Sequence, residues 1–353
     1  MKKILALILS VILVLPLIAC GKTVTPEAAP EVAPAPEATP EAAPEVAPAD
    51  DPLVFGIAMP QLDNDGFKAN MIGIRQFAEA NGIEIVVNDA KNTADTQMQN
   101  IEDLITKGVD AIVMCPVDSG AAAAAVQKAV DAGIPVISFD RNVSGDLLAG
   151  LAESNNTAHG AAAADLMVEQ AKAAGMEVSD LKVLELMGTQ SASAGLERHV
   201  GFEERAKELG VNIVASLPTD FKNDLAYNCV LDAFSANPDI NAIYIPSDNA
   251  CYAGTESALS QLGKLIPVGE EGHIMVVSVD GGPLGLDGIR NGYVDAIAAQ
   301  SKLLMSEEAM NLALKIVKGE AVEETVIRIN PTKVTKENVD DMSLWANAIK
   351  DFQ

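Results

Sequence analysis

From Leu53 onward, short apolar runs rich in β-branched residues alternate with longer segments of helical spacing, and that alternation leaves few folds open. Val54–Ala58, Ile83–Val87, Ala111–Cys115 and Pro135–Phe139 read as strands. Helices are expected between them over Phe67–Asn81, Thr93–Lys107 and Gly120–Ala132, closed by Gly82, Gly108 and Gly133. Strands that are apolar almost throughout need cover on both faces, which parallel strands with helical crossovers obtain. A second series follows. Its helices are expected over Asn156–Ala174, Ala194–Leu209, Asp224–Phe234 and Gly254–Leu262, and its strands over Val183–Met187, Asn212–Ala215, Ala242–Ile245 and Ile274–Val279. Asn81-Gly82-Ile83-Glu84-Ile85-Val86 is echoed by Leu209-Gly210-Val211-Asn212-Ile213-Val214. The expectation is an α/β chain of two lobes with similar topology.

In open parallel sheets, ligands sit outside the carboxyl ends of the strands. The residues there are Pro60–Phe67, Cys115–Asp118, Asp140-Arg141, Gln190–Arg198, Thr219–Phe221, Ser247-Asp248-Asn249 and Asp280-Gly281-Gly282. Carboxylates, amides and Arg recur at these tips, with Phe67 and Phe221 beside them. Hydroxyl groups both donate and accept, so carboxylates take their protons while Arg and Asn donate in return. The mix suits a small polyhydroxylated solute whose C–H faces can stack on rings. Asp118 precedes a helix and reads as a cap rather than a ligand. Asp248 stays open between the two roles, whereas neither Asp140 nor Arg141 starts a helix.

Composition narrows the partners. The net charge of −26 argues against a nucleic-acid binder, which needs Lys and Arg to neutralise phosphates. No Cys/His cluster suggests a metal, and no cofactor is expected. The three His residues form no triad pattern, and Gly281-Gly282-Pro283-Leu284-Gly285 lacks the spacing of a dinucleotide or phosphate loop. An enzyme is therefore not expected. Cys115, Cys229 and Cys251 leave a Cys229–Cys251 disulfide open. At the start of the chain, Lys2-Lys3 precede an apolar run from Ile4 to Ala19, too short for a comfortable membrane span. The run ends in Leu17-Ile18-Ala19-Cys20-Gly21, which resembles a bacterial lipobox. That resemblance implies a signal peptide over 1–19, a lipid on Cys20 and a membrane partner held through that anchor. Residues 20–51 repeat Pro, Glu, Ala and Val and read as an extended tether.

Three further stretches carry a second resemblance: Ile134-Pro135-Val136-Ile137-Ser138-Phe139-Asp140-Arg141, Glu197-Arg198 with Gly201-Phe202, and Val276-Val277-Ser278-Val279-Asp280-Gly281. Over Leu53–Lys333 the body resembles the ribose-binding, type I periplasmic binding proteins of ABC transporters. The resemblance implies two Rossmann-like lobes with parallel sheets joined by three hinge crossings, near Ser154-Asn155, Gln300-Ser301 and Ile329-Asn330. It divides the body into 52–154 plus 301–329 and 155–300 plus 330–353. It implies a monomer that closes on a monosaccharide and docks on an ABC permease in the cell envelope, anchored on the outer face of the cytoplasmic membrane or in the periplasm. Carried over by position, Asn64, Phe67, Asp140, Arg141, Phe221, Asp280 and Gln300 bind or stack the sugar. Gly66, Cys115, Leu196 and Ser247 depart from the ribose pattern, with Arg198 close to Leu196 and Asp248 next to Ser247. These departures point to another pentose, a hexose, a polyol or a deoxy sugar. A nucleoside, a signalling molecule or a chemoreceptor role without transport are the alternatives.

Overall fold

The computed structural model describes residues 52–190 and 192–352, so the signal peptide, Cys20 and the tether, expected over 1–51, lie outside the described residues. The first series runs β1 (Val54–Met59), α1 (Asp65–Asn81), β2 (Glu84–Asp89), α2 (Ala94–Lys107), β3 (Ala111–Met114), α3 (Ser119–Asp131), β4 (Val136–Phe139) and β5 (Gly150–Ser154). The second runs α4 (Asn156–Ala173), β6 (Lys182–Met187), α5 (Ser193–Leu209), β7 (Asn212–Pro218), α6 (Asn223–Ala236), β8 (Ala242–Ile245), α7 (Asp248–Gln261), β9 (Met275–Asp280), α8 (Pro283–Asn291) and β10 (Ala296–Ala299). Then follow α9 (Lys302–Val317), β11 (Val326–Ile329), β12 (Thr332–Val334) and the short α10 (Trp345–Ala348). Helices α1, α2 and α5 stop where Gly82, Gly108 and Gly210 turn left-handed.

The strands form two six-stranded sheets, ordered β11-β5-β4-β3-β1-β2 and β12-β10-β9-β8-β6-β7. All pairings are parallel except β12 on β10. Successive side chains feed opposite faces. In β1, Phe55, Ile57 and Met59 enter one core while Ala58 enters another; in β8, Ile243 and Ile245 part company with Ala242 and Tyr244 in the same way. Each sheet is thus covered on both sides, as the unbroken apolar runs require. Strand order reverses between β1 and β3 in one sheet and between β6 and β8 in the other. The chain passes between the sheets at three places: after Ser154, after Ala299 and after Ile329. No helix among the described residues is long and apolar enough to cross a membrane.

Not every charged group serves the cleft. His273, near the start of β9, places Nδ1 2.7 Å from the Ile266 carbonyl and Nε2 3.1 Å from Asp295 Oδ2. A carbonyl only accepts, so both ring nitrogens are best used as donors. Burial pulls this imidazole down, but the bond and charge of Asp295 outweigh burial and leave it above its ordinary value. The resulting stabilisation is complete below the unfolded pKa and lost as pH rises through the folded one. Calorimetric melting temperature should fall as pH rises above about 6.5, and His273→Gln should flatten that slope while removing about 2 kcal/mol at the acidic end. A slope unchanged in His273→Gln would assign it elsewhere.

Candidate functional site

The carboxyl ends of both sheets face one cavity of about 740 Å³, a size suited to a small solute. The first sheet contributes the turn after β4. Asp140 N donates to Ala152 O (2.9 Å), and Ser138 Oγ bonds Met114 O (3.2 Å) and Arg141 O (2.5 Å), so the turn is held from β3, β4 and β5 together. Asp140 then takes left-handed backbone, φ 65°. Its Oδ1 accepts from Lys302 Nζ at 2.9 Å, and Arg141 Nε lies 3.9 Å from Oδ2. Burial would raise the Asp140 carboxyl, but Lys302 and Arg141 outweigh it and hold the group below its usual range.

The second sheet contributes Asp280 at the end of β9, also left-handed at φ 98°. Arg198 Nη1 donates to its Oδ1 at 3.0 Å, Gln300 donates to the same oxygen, and Ser247 donates to Oδ2. Arg198 is held in turn by Asn156 Oδ1 (3.0 Å) and the Pro246 carbonyl (2.8 Å). Burial pushes Asp280 up, yet Arg198, Lys302 and these hydrogen bonds leave it below the ordinary carboxylate value. Phe221, φ 54°, is a third left-handed residue on the lining. Each such conformation in a non-glycine residue costs about 1–3 kcal/mol, and such residues gather where function over-determines the backbone.

Arg198 owes its position to a close helix crossing. On α4, a Cβ at Gly160 would overlap the Arg198 carbonyl oxygen and stand 2.7 Å from Phe202 N. On α5, a Cβ at Gly201 would overlap the Thr157 carbonyl group in the same manner. The two glycines let the helix backbones touch, and the guanidinium, one turn ahead of Gly201, is aimed beneath the cavity.

Of the residues expected at the site, Asp140, Arg141, Arg198, Phe221, Ser247, Asp280 and Gln300 line this cavity. The structure does not bring five others onto the lining. Asn64 caps α1, its Oδ1 accepting from Gly66 N (2.9 Å) and Phe67 N (3.3 Å). Phe67 is buried as a cushion, its ring centroid 5.6 Å from the Arg141 guanidinium carbon. Cys115 continues the core-facing row of Ala111 and Val113, and burial pushes its thiol up to about 12. Leu196 is 46% exposed on α5. Asp248 is buried and accepts from Gly281 N (2.9 Å), Gly282 N (2.8 Å) and Ser278 Oγ (3.1 Å), so it fastens the turn behind Asp280; burial and its Asp280 neighbour push it up to about 8. Conversely, sequence reasoning passed over Lys302, Ser154 and Asn156, which do line the cavity. Asp118 both caps α3, accepting from Ala121 N at 2.7 Å, and lines the cavity. Cys229 and Cys251 are free thiols. Among the described residues no cluster of His, Cys, Asp and Glu is placed to hold a metal.

Comparison with known proteins gives this arrangement its relatives. A family model described as "Periplasmic binding protein domain" matches residues 55–321. The ribose import binding protein of Salmonella typhimurium is 32% identical over 268 residues, covering 76% of this chain and 86% of that protein. The xylitol-binding protein of Mycolicibacterium smegmatis is 27% identical, covering 76% and 73%. The crystal structure of a periplasmic solute binding protein of an ABC transporter from Actinobacillus succinogenes, with bound D-allose, superposes with a TM-score of 0.70 at 25% identity, covering 82% of this chain and all of that one. The chain therefore belongs to the periplasmic binding protein family, among its type I, ribose-binding-like members.

Proposed function

We propose that this chain captures a neutral monosaccharide or polyol between its two sheets and delivers it to an ABC permease. The observation that carries the reading is the composition of the cavity wall. Among the described lining residues, three carboxylates (Asp118, Asp140, Asp280) stand against three cations (Arg141, Arg198, Lys302). A wall rich in donors and acceptors yet balanced in charge fits hydroxyl groups better than a carboxylate or phosphate. Relatives named for ribose and xylitol, and a relative holding D-allose, support the same class. A nucleoside base would want ring faces on both sides, whereas Phe221 is the one aromatic side chain on the described lining.

The proposed mechanism is closure. Residues 52–154 with 301–329 move against 155–300 with 330–353 about the three crossings, and a solute touching both walls favours the closed arrangement by its differential affinity. No bond of the solute is made or broken. A monomer tethered through Cys20 to the envelope, with its body free to meet the permease, completes the reading.

A thermal-shift screen of the purified chain against pentoses, hexoses, polyols and nucleosides tests it. A solute at 100 times its dissociation constant should stabilise by about 2.7 kcal/mol. Asp140→Ala should erase the shift, because it removes an acceptor and frees Lys302. Lys302→Met, which removes a donor but leaves Asp140, should only weaken it. Stabilisation by nucleosides alone, or a full shift retained by Asp140→Ala, would refute the assignment.

A further inference from the structure

The segment after β12 ties both halves of the cleft together. Its hold on the second lobe is polar as well as apolar, since Leu344, Trp345, Ala346 and Ile349 belong to a core that includes Leu286 and Ile289 of α8. Arg290 of α8 donates to Asp340 Oδ1 (2.9 Å), Val339 O (3.2 Å) and Asn347 Oδ1 (2.7 Å), and buried Asn347 donates to Val339 O (2.9 Å) and Asp341 O (2.8 Å). Its hold on the first lobe is apolar. Leu344, Trp345, Ala346 and Ile349 share a buried core with Ala69 and Ile72 of α1, and α10 packs on α1 as well as on α8. Helix α1 otherwise packs against α9 and the first sheet. The segment is therefore a non-covalent tie beside the three covalent crossings, and it lies beyond the residues that the family model matches.

Trp345 stands at the junction. It is the only tryptophan in the sequence and is 1% exposed. Its Nε1 donates to the backbone carbonyl of Asp280 at 2.9 Å. An indole N–H is a fixed donor on a rigid ring, so it pins the left-handed peptide whose side chain gathers Arg198, Gln300 and Ser247.

We infer that residues 344–349 form a strap that holds α1 against the second lobe, and that Trp345 is a positioning residue for Asp280. Apolar contact across the lobes favours the arrangement in which both walls line the cavity, and the indole passes that contact to the site carboxylate. When the lobes part, α1 leaves the strap. Only the affinity part of this inference rests on the carbohydrate reading above.

The test uses the full chain. Ile349→Ala on the strap and Ile72→Ala on α1 truncate the contact from opposite sides, and circular dichroism verifies folding. Both variants should show a larger radius of gyration than the parent in small-angle X-ray scattering without added solute. Curves that superpose on the parent would overturn the strap. Trp345→Phe keeps the ring and loses the N–H. It should leave the scattering unchanged and raise the dissociation constant for whichever of D-allose, D-ribose and xylitol the parent binds by about tenfold, as a lost buried hydrogen bond does. Unchanged affinity would overturn the positioning role. A parent that binds none of the three probes would remove that role together with the carbohydrate reading, while scattering would still decide the strap.

Discussion

Replacing Asp280 by Asn should lower the unfolding free energy by about 3–5 kcal/mol and abolish carbohydrate binding. The side chains of Arg198 and Asp280 are 6% and 12% exposed, so the guanidinium has little water to turn to. Asn keeps the volume and tolerates the left-handed backbone that Asp280 requires. The loss is thus electrostatic: a buried cation remains with only neutral partners, the new amide and the Asn156 and Pro246 oxygens. Adding Arg198→Met to Asp280→Asn should recover part of the stability, because the stranded charge is gone, but none of the binding. Urea unfolding gives the first quantity and calorimetric titration with D-allose, D-ribose and xylitol the second. A loss under about 1 kcal/mol would mean that Arg198 finds solvent after all, and undiminished titration would take Asp280 out of the site. In the parent, Asp280 and Asp140 both sit below the ordinary carboxylate value, so their contribution is present above the unfolded pKa near 3.8 and lost as acid passes their folded values. Asp280→Asn should therefore shrink the acid-induced loss of stability as well.

Much of this site was legible because strand direction fixes where a ligand goes. Once β1, β3, β4, β8 and β9 were placed, their carboxyl ends pointed to Asp140, Arg141, Ser247 and Asp280. What escaped was set by packing. Strand β5 (Gly-Leu-Ala-Glu-Ser) has no β-branched residue and β10 (Ala-Ile-Ala-Ala) has only Ile297. Small residues are needed there because helices press close: a Cβ at Gly150 would stand 3.1 Å from Leu312 of α9. With β10 unread as a strand, Lys302 had no tip to belong to. Its place in the first turn of α9, where a cation opposes the helix dipole, was the remaining signal. Cys115 lies off the lining for a different reason. At a strand end, one residue decides whether a side chain faces core or cleft. Cys115 keeps the parity of Ala111 and Val113, and alternation alone would have sent it inward.

The α4–α5 crossing carries the second large effect. Gly201→Ala should lower stability by about 1–3 kcal/mol and weaken carbohydrate binding at least as much as it weakens the fold. A methyl group at position 201 meets backbone, the Thr157 carbonyl group, rather than a side chain that could swing away. The helices must separate, and separation along this line moves Arg198, which needs Asn156 of α4, Pro246 and Asp280 all at once. Gly160→Ala should act alike, since its methyl group would strike the Arg198 carbonyl itself. Because either methyl group already opens the crossing, the double variant should lose less than the sum of the two single losses. Alanine favours a helix over glycine by about 1 kcal/mol, so a net destabilisation would understate the steric cost. Chemical unfolding and D-allose titration of the two single variants and the double variant measure all of this. If Gly201→Ala proved more stable than the parent while binding as tightly, the backbones would have room to spare, and the crossing would not be what aims Arg198.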